Sequence, residues 1–459
     1  MKQDEVPASS GQGTISDPRA SLWAWPLTLV LCVVSAAMTL PKMIFVSTDY
    51  AAWSGDWQRA VGCLSRGEFP CPTVTKFPVA YLVNAGMVGT DQQRAAIILA
   101  LANVACLTLP LVAVFLVHRP RAILQSGWPY VMALVLSPIP MFYLATGALE
   151  VQSGVFTGLY LGSLALALSA PHLKPGRAVI TILVISGFAF PLYKDTAAAL
   201  AGVVVLAFLA VHRSTLRSVG QTSEGRRRIL ALGLAAAAPV LFSQCLNAAY
   251  MWFKYGKPLP VAYMSESSET TPSWSHTAEF FVGSILSPNG GLVVFWSLPI
   301  LVAVAGWRMA GLAPKRRDLL PAIGVLVLSA ITFAHWWAPF GWIGWGDRLL
   351  LPASLALLIV MFMCLRPQEP RPVQPRRATT AVGLAVAVVA ALSSAMYVST
   401  SYLSTPGPAI VKSIDVGPRC VRLAALLPTA EAARLGSSVW KSDLYYDCAQ
   451  ARMLYVPLP

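Results

Sequence analysis

Eleven apolar runs set the frame for everything else in this chain. They lie near 23–44, 93–117, 127–148, 152–170, 178–193, 196–211, 229–250, 291–307, 319–337, 349–365 and 378–398. A helix crosses a bilayer's hydrocarbon core with about 20 apolar residues, so most of these runs read as membrane spans. The pair 178–193 and 196–211 is short and turns at Lys194 and Asp195. It reads as a hairpin that crosses only in part or sits inside the protein. Composition agrees, since only 12% of the 459 residues are charged and 56% are hydrophobic, whereas soluble domains carry about 25% charge. Disordered, collagen-like and small disulfide-rich classes are excluded, and so much apolar surface does not suit an ordinary soluble enzyme. The expected fold class is an all-α polytopic membrane protein of about eleven transmembrane helices, with short juxtamembrane helices in its outer loops.

Lys and Arg placement gives the expected topology. With the N-terminus inside, the cytoplasmic segments collect 19 of the 34 Lys and Arg and only 6 of the 20 acids. Nearly all of the net charge of +14 is then topological. It anchors short loops to an anionic inner leaflet, and a nucleic-acid partner is not expected. Residues 1–22 form a polar cytoplasmic leader, 23–398 a transmembrane catalytic unit, and 399–459 an outer tail. The first apolar run lacks a small-residue cleavage pattern and reads as a retained anchor. The expected location is a bacterial inner membrane.

The long segments between spans, 45–92, 251–290 and 338–348, fall on the periplasmic side with the tail. No P-loop or strand-associated GxGxxG is present, so chemistry is expected outside, on a substrate that arrives already activated. Four cysteines, Cys63, Cys71, Cys420 and Cys448, share that side, where disulfides persist. They allow three pairings. Cys63–Cys71, closing a tight loop, and Cys420–Cys448, stapling the tail, are favoured over a zinc site, for which no CxxC or Cys/His cluster exists.

The first outer loop opens with Ser47-Thr48-Asp49-Tyr50. An acid where a helix leaves the bilayer is costly unless solvated or used; Asp49 is either a helix cap or a general base. Asp56, seven residues on, could share a helix face with it. Lys76, in Lys76-Phe77-Pro78-Val79-Ala80-Tyr81, either binds a lipid phosphate or extends to the interface. The second loop carries Lys254-Tyr255-Gly256-Lys257-Pro258-Leu259-Pro260 and Tyr263. The third, 336–348, holds Trp336, Trp337, Trp342 and Trp345 and ends in Asp347-Arg348. Trp faces stack on sugar rings, and the Arg348 fork suits a phosphate; the alternatives are an aromatic belt and a pair with Asp347. Glu150 is a sugar ligand or an interfacial cap. His335 is a further candidate whose simpler reading is a structural, hydrogen-bonded histidine.

Four features in order resemble the GT-C superfamily of integral-membrane glycosyltransferases, and within it the bacterial polyprenyl-phosphate-dependent mannosyl- and aminoarabinose-transferases. They are Thr48-Asp49-Tyr50, the Lys-Phe-Pro-x-x-Tyr stretch at 76–81, the Tyr-Gly-x-Pro-Leu-Pro and Ser-Pro-x-x-Gly-Leu pair at 255–260 and 287–292, and Gly-Trp-x-x-Trp-Gly-x-Arg at 341–348. The resemblance spans roughly 23–365. It departs at Asp347, where relatives often carry Pro, and at Asn289, where many carry a basic residue.

The resemblance implies a sugar donor on a polyprenyl phosphate and an acceptor hydroxyl on an outer glycan, lipid or protein, with Asp49 as catalytic base. Lys76, Lys194, Lys254 and Arg348 are then candidates for the donor phosphate. Glu150, Tyr81, Tyr255, Tyr263, His335, Trp342 and Trp345 are candidates for sugar or acceptor. One-step attack inverts the anomeric carbon, since a second carboxylate for double displacement is not evident. No cofactor is required; a divalent cation is compatible with such a site, but no residue pattern indicates one. The rival readings are a flippase for a lipid-linked sugar, against which no internal repeat is found, and a non-enzymatic subunit.

Overall fold

The computed structural model describes residues 26, 48–118, 120–137, 143, 144, 149–260, 274–286, 291–335, 348–368, 420–422 and 455–457. The runs at 23–44 and 378–398 lie outside these, Pro26 apart, and the other runs fall on helices. In chain order the helices are α1 (Thr48–Trp53), α2 (Asp56–Arg66), α3 (Val79–Val88), α4 (Gln92–His118), α5 (Pro120–Leu136), α6 (Glu150–Leu168), α7 (Arg177–Tyr193), α8 (Asp195–Val211), α9 (Arg213–Val219), α10 (Ser223–Tyr255), α11 (Trp274–Leu286), α12 (Leu292–Met309), α13 (Arg316–Ala334) and α14 (Leu351–Met363). Among the described residues, α4, α6, α10 and α13 are each long and apolar enough to cross a membrane. The pair α8 and α9, bent by 65° at His212, makes a fifth if taken as one span. The chain is a multi-pass membrane protein.

The centre of the bundle is α6, buried along nearly its whole length between α14 and α7, with α4 and α13 beside it. The reason lies in its glycines. Gly154, Gly158 and Gly162 recur every fourth residue and so share one helix face. A Cβ at Gly154 would stand 2.9 Å from the Pro352 backbone, and one at Gly158 would stand 2.8 Å from Ile359 and 3.0 Å from the Ala356 backbone. One at Gly162 would meet Met363 at 2.8 Å. Small residues at this spacing let helix backbones touch, which is how helices associate where lipid removes the hydrophobic drive. In contrast, α4 and α10 leave Ile97, Leu101, Leu234 and Leu241 exposed, as lipid-facing helices must.

Two antiparallel ladders add to the helices. Strand β1 (Leu312–Pro314) pairs with β2 (Leu365–Pro367), with Ala313 opposite Arg366. Strand β3 (Cys420–Arg422) pairs with β4 (Tyr455–Pro457). The first ladder ties the α12–α13 turn to the end of α14, and Gln368 N–H extends it by donating to Gly311 O at 2.9 Å.

Three expectations change. Asp49 and Asp56 do not share a helix: Ser54-Gly55 breaks the chain between α1 and α2. The run read as 229–250 is a helix from Ser223 to Tyr255, ended by Gly256 at φ 67°. Lys254 and Tyr255 therefore lie in a final helical turn, not in a loop. The 127–148 run is helical only to Leu136 among the described residues.

Candidate active site

Residues predicted from separate parts of the chain come together at one end of α6. The organising element is an apolar cluster of Tyr50, Trp53, Tyr81 and Leu149, against which Phe77 and Tyr193 pack. All but Trp53 are, or directly adjoin in sequence, a candidate: Tyr81 is one, Tyr50 follows Asp49, Phe77 follows Lys76, Leu149 precedes Glu150 and Tyr193 precedes Lys194. Trp53 meets Tyr50 and Tyr81 edge-on at 5.3 and 5.8 Å between ring centres, and Phe77 stacks on Tyr81 at 4.6 Å. Edge-on and offset aromatic pairs each add about 0.5–1.5 kcal/mol beyond simple burial, enough to fix a six-residue helix such as α1 that could not stand alone. The Tyr50 hydroxyl donates to Gly89 O at 2.9 Å and Asp91 O at 3.2 Å. Burial first, and then the Asp91 charge, push its pKa above the usual tyrosine value.

The loop that presents Lys76 is held from both sides. Cys63 at the end of α2 is disulfide-bonded to Cys71, as the spacing suggested. Asp56, fully buried, accepts from Thr75 N at 3.0 Å, from Thr75 Oγ1, and from Arg59 at 3.1 and 2.5 Å. From the opposite side the Lys254 ammonium donates to Thr75 O at 3.1 Å and Phe77 O at 2.7 Å. It also lies 4.3 Å from the Tyr250 ring centre and 5.5 Å from that of Tyr255. A fully buried ammonium is tolerable only with such partners. The two carbonyls it grips flank Lys76, so the predicted phosphate cation Lys254 sits behind the loop as a clamp.

At the start of α6, Glu150 Oε1 accepts from Arg348 Nε at 2.9 Å. Both side chains are almost wholly buried, at 8% and 9% exposure, and the Arg348 guanidinium lies 6.0 Å from the Tyr143 ring centre. The glycine seam makes this pairing: Glu150 continues the four-residue stripe of 154, 158 and 162, and Arg348 stands just ahead of Pro352, which Gly154 touches. Arg348 thus has Glu150 as a partner; Asp347 lies outside the described residues. Among the described residues, Glu150 Oε2, Gln152 Nε2 and Ser153 Oγ in the first turn of α6, and Ser354 Oγ in the first turn of α14, are buried without a hydrogen-bond partner. Each such atom costs about 1–3 kcal/mol unless something binds it.

The Lys194 ammonium lies 4.5 Å from the Phe333 ring centre. His335, two residues on, stands apart from the cluster: its Nδ1 is 2.8 Å from Thr277 Oγ1, and its ring stacks on Trp274 at 5.1 Å. Only the backbone of Asp49 and of Cys420 is described, in α1 and β3. Tyr263, Trp342, Trp345 and Cys448 lie outside the described residues. No group of three or more His, Cys, Asp or Glu arranged to hold a metal occurs among the described residues.

Sequence reasoning missed Tyr143, Gln152, Ser153 and Ser354. A signal existed for two of them: polar Gln152 and Ser153 interrupt the start of an apolar run, directly after Glu150.

No family model and no curated protein matches this chain. Among solved structures it is similar to ArnT from Cupriavidus metallidurans bound to undecaprenyl phosphate, at 16% identity over 86% of this chain and 71% of that one, with a TM-score of 0.47. It is likewise similar to the apo state of that protein, at 15% identity over 86% and 70%, with a TM-score of 0.45. These likenesses assign no residue, ligand or reaction here.

Proposed function

We propose that this protein is an inverting glycosyltransferase that moves a sugar from a polyprenyl phosphate to an acceptor hydroxyl outside the inner membrane. The observation that carries the reading is that Asp49's helix and the sequence neighbours of Lys76, Glu150 and Lys194 meet in one aromatic cluster, with Arg348 held against Glu150. A sugar on a phosphate is already activated, so the reaction needs no cytosolic energy source.

Asp49 takes the acceptor proton as the acceptor oxygen attacks the anomeric carbon. The C–O bond to the phosphate breaks, and the leaving polyprenyl phosphate gains negative charge. Lys76, Lys194 and Arg348 supply the cations that stabilise it. Glu150 Oε2, Gln152, Ser153 and Ser354 offer acceptors and donors to sugar hydroxyls. Their buried atoms find partners when the sugar is bound, which favours a polyhydroxylated ring over an apolar ligand. Tyr81 is taken up by Trp53 and Phe77 within the cluster, which leaves the tryptophans of 336–345 as the sequence's candidates for stacking on the ring. Lys254 acts through the loop, by holding the two carbonyls on either side of Lys76.

The test is Asp49→Asn, purified in detergent and supplied with a synthetic polyprenyl-phosphate pentose or hexose and an envelope-glycan extract. Transfer is expected to fall about 10²–10⁴-fold with the thermal midpoint unchanged, and the wild-type product should carry the inverted anomer by NMR. Full transfer by the variant removes Asp49 as base, and a retained anomer removes the one-step mechanism.

A further inference from the structure

A second feature lies away from the reacting groups. An apolar cavity of about 530 Å³ opens between α7, α8, α9 and α10, with the second half of α6 as its floor. Its walls include Phe190, Ala201, Val205, Ala236 and Val240, and Tyr160 is the one lining residue with a polar side-chain atom. The Tyr160 hydroxyl is turned to Ala236 O at 3.3 Å, so the interior offers a ligand nothing polar. At the rim, Leu206 and Leu241 are exposed.

Two glycines in the wall differ from those of the α6 seam. Gly202 and Gly233 have no heavy atom within 4 Å of where a Cβ would stand. They are not close-packing glycines; they leave room. On α10 the lining runs from Ile229 to Leu241, about 18 Å at 1.5 Å per residue. That is close to one leaflet, half of a hydrocarbon core of about 30 Å.

The chemistry of the mouth is set by position. Arg213 stands three residues before lining residue Leu216, and Arg226 three before Ile229, each on the same helix face as its partner. Arg213, Arg217, Arg226 and Arg227 are all exposed. Arg228 is paired with Glu224 and does not enter the count. A groove about one leaflet deep, dry inside and with arginines at one end suits an apolar lipid tail under an anionic head. We infer that it holds an acyl chain of an anionic phospholipid from the leaflet at the basic end of the protein, with the lipid phosphate at Arg213 and Arg226. The site is independent of the proposed transfer reaction.

Native mass spectrometry of the full chain in nanodiscs tests this, with phosphatidylglycerol and phosphatidylcholine as the two probes. The wild type is expected to retain one phosphatidylglycerol in preference to phosphatidylcholine. Gly202→Phe and Gly233→Phe fill open space, so they are expected to keep the wild-type thermal midpoint while lowering retention at least tenfold. Arg213→Gln and Arg226→Gln are each expected to reduce the preference about fivefold, the equivalent of about 1 kcal/mol per surface arginine, without abolishing chain binding. Equal retention of the two lipids by the wild type, or unchanged retention in both phenylalanine variants, overturns the inference. So does cysteine cross-linking that seats residues 378–398 in the groove.

Discussion

An acid–arginine contact stands near each end of the α6–α14 pair, one of them to Asp318 of the neighbouring α13, and the two are built differently. At one end Asp318 is saturated: Ser169 donates to Oδ1 at 2.8 Å, Arg366 donates to Oδ2 at 2.9 Å, and the β1–β2 ladder fixes the arginine's backbone. At the other end Glu150 spends one oxygen on Arg348 and leaves Oε2 without a partner among the described residues, beside unmatched Gln152, Ser153 and Ser354. The same glycine seam joins the helices throughout, so helix packing does not explain the difference. A saturated carboxylate behind a sheet is a fastener. A half-used one and the unmatched polar atoms beside it can still accept and donate hydrogen bonds, and under the proposed function these go to the sugar.

Four experiments can break or sharpen this contrast. The largest effect is expected for Glu150→Gln, which keeps the side chain's shape but removes its charge: transfer should fall about 10²–10³-fold, the scale set by losing one preorganised electrostatic group. Transfer kinetics with a polyprenyl-phosphate sugar read this directly, and unimpaired kinetics would make the two ends equivalent. Next is Gly158→Leu, in the middle of the seam, where the added atoms meet the Ala356 backbone. Overpacking of this kind costs about 1–3 kcal/mol, and it should lower both the thermal midpoint and transfer, because both ends depend on the seam. A normal midpoint would show that the helices can part freely.

Asp318→Asn keeps the Ser169 contact but loses the ion pair. Arg366 is partly exposed, so the cost is discounted to about 1 kcal/mol. The midpoint should drop while the kinetics of the surviving protein stay unchanged, and a kinetic defect as large as that of Glu150→Gln would erase the contrast. The smallest effect concerns the Glu150-end cluster at high pH. Because burial raises the Tyr50 pKa above its ordinary value of 10, the folded protein holds that proton more tightly than the unfolded chain. The stability it contributes is intact below pH 10 and is lost as pH rises beyond that. Tyr50→Phe should therefore show a flatter alkaline melting profile than the wild type; parallel profiles would show that Tyr50 is not the titrating group.

Much of this architecture could be read from residues alone, for identifiable reasons. Membrane helices announce themselves because lipid demands a continuous apolar stretch, and the runs at 93–117 and 152–170 fall within two residues of the observed ends of α4 and α6. The Cys63–Cys71 bond was legible because eight residues of separation close a tight loop. The end of α10 was not, because Trp252-Phe253-Lys254-Tyr255 carries a charge that hydropathy counts against a helix. That charge is solvated by two loop carbonyls from residues some 180 positions away, which no local pattern contains. Glu150 and Arg348 could each be singled out as unusual, but their pairing across 198 residues depends on the seam. The seam itself was visible as Gly154, Gly158 and Gly162, though it reads equally as ordinary composition in an apolar run.

That seam also limits how this protein can diversify. Where backbones touch, a side chain gained on either helix moves the carboxylate and the guanidinium together, so substitutions along the contact line cannot reposition one without the other. Room to vary lies instead off that contact line, in the loop that presents Lys76, whose position is set by Asp56 and Lys254. An engineer would vary that loop and leave every fourth residue of the central pillar alone.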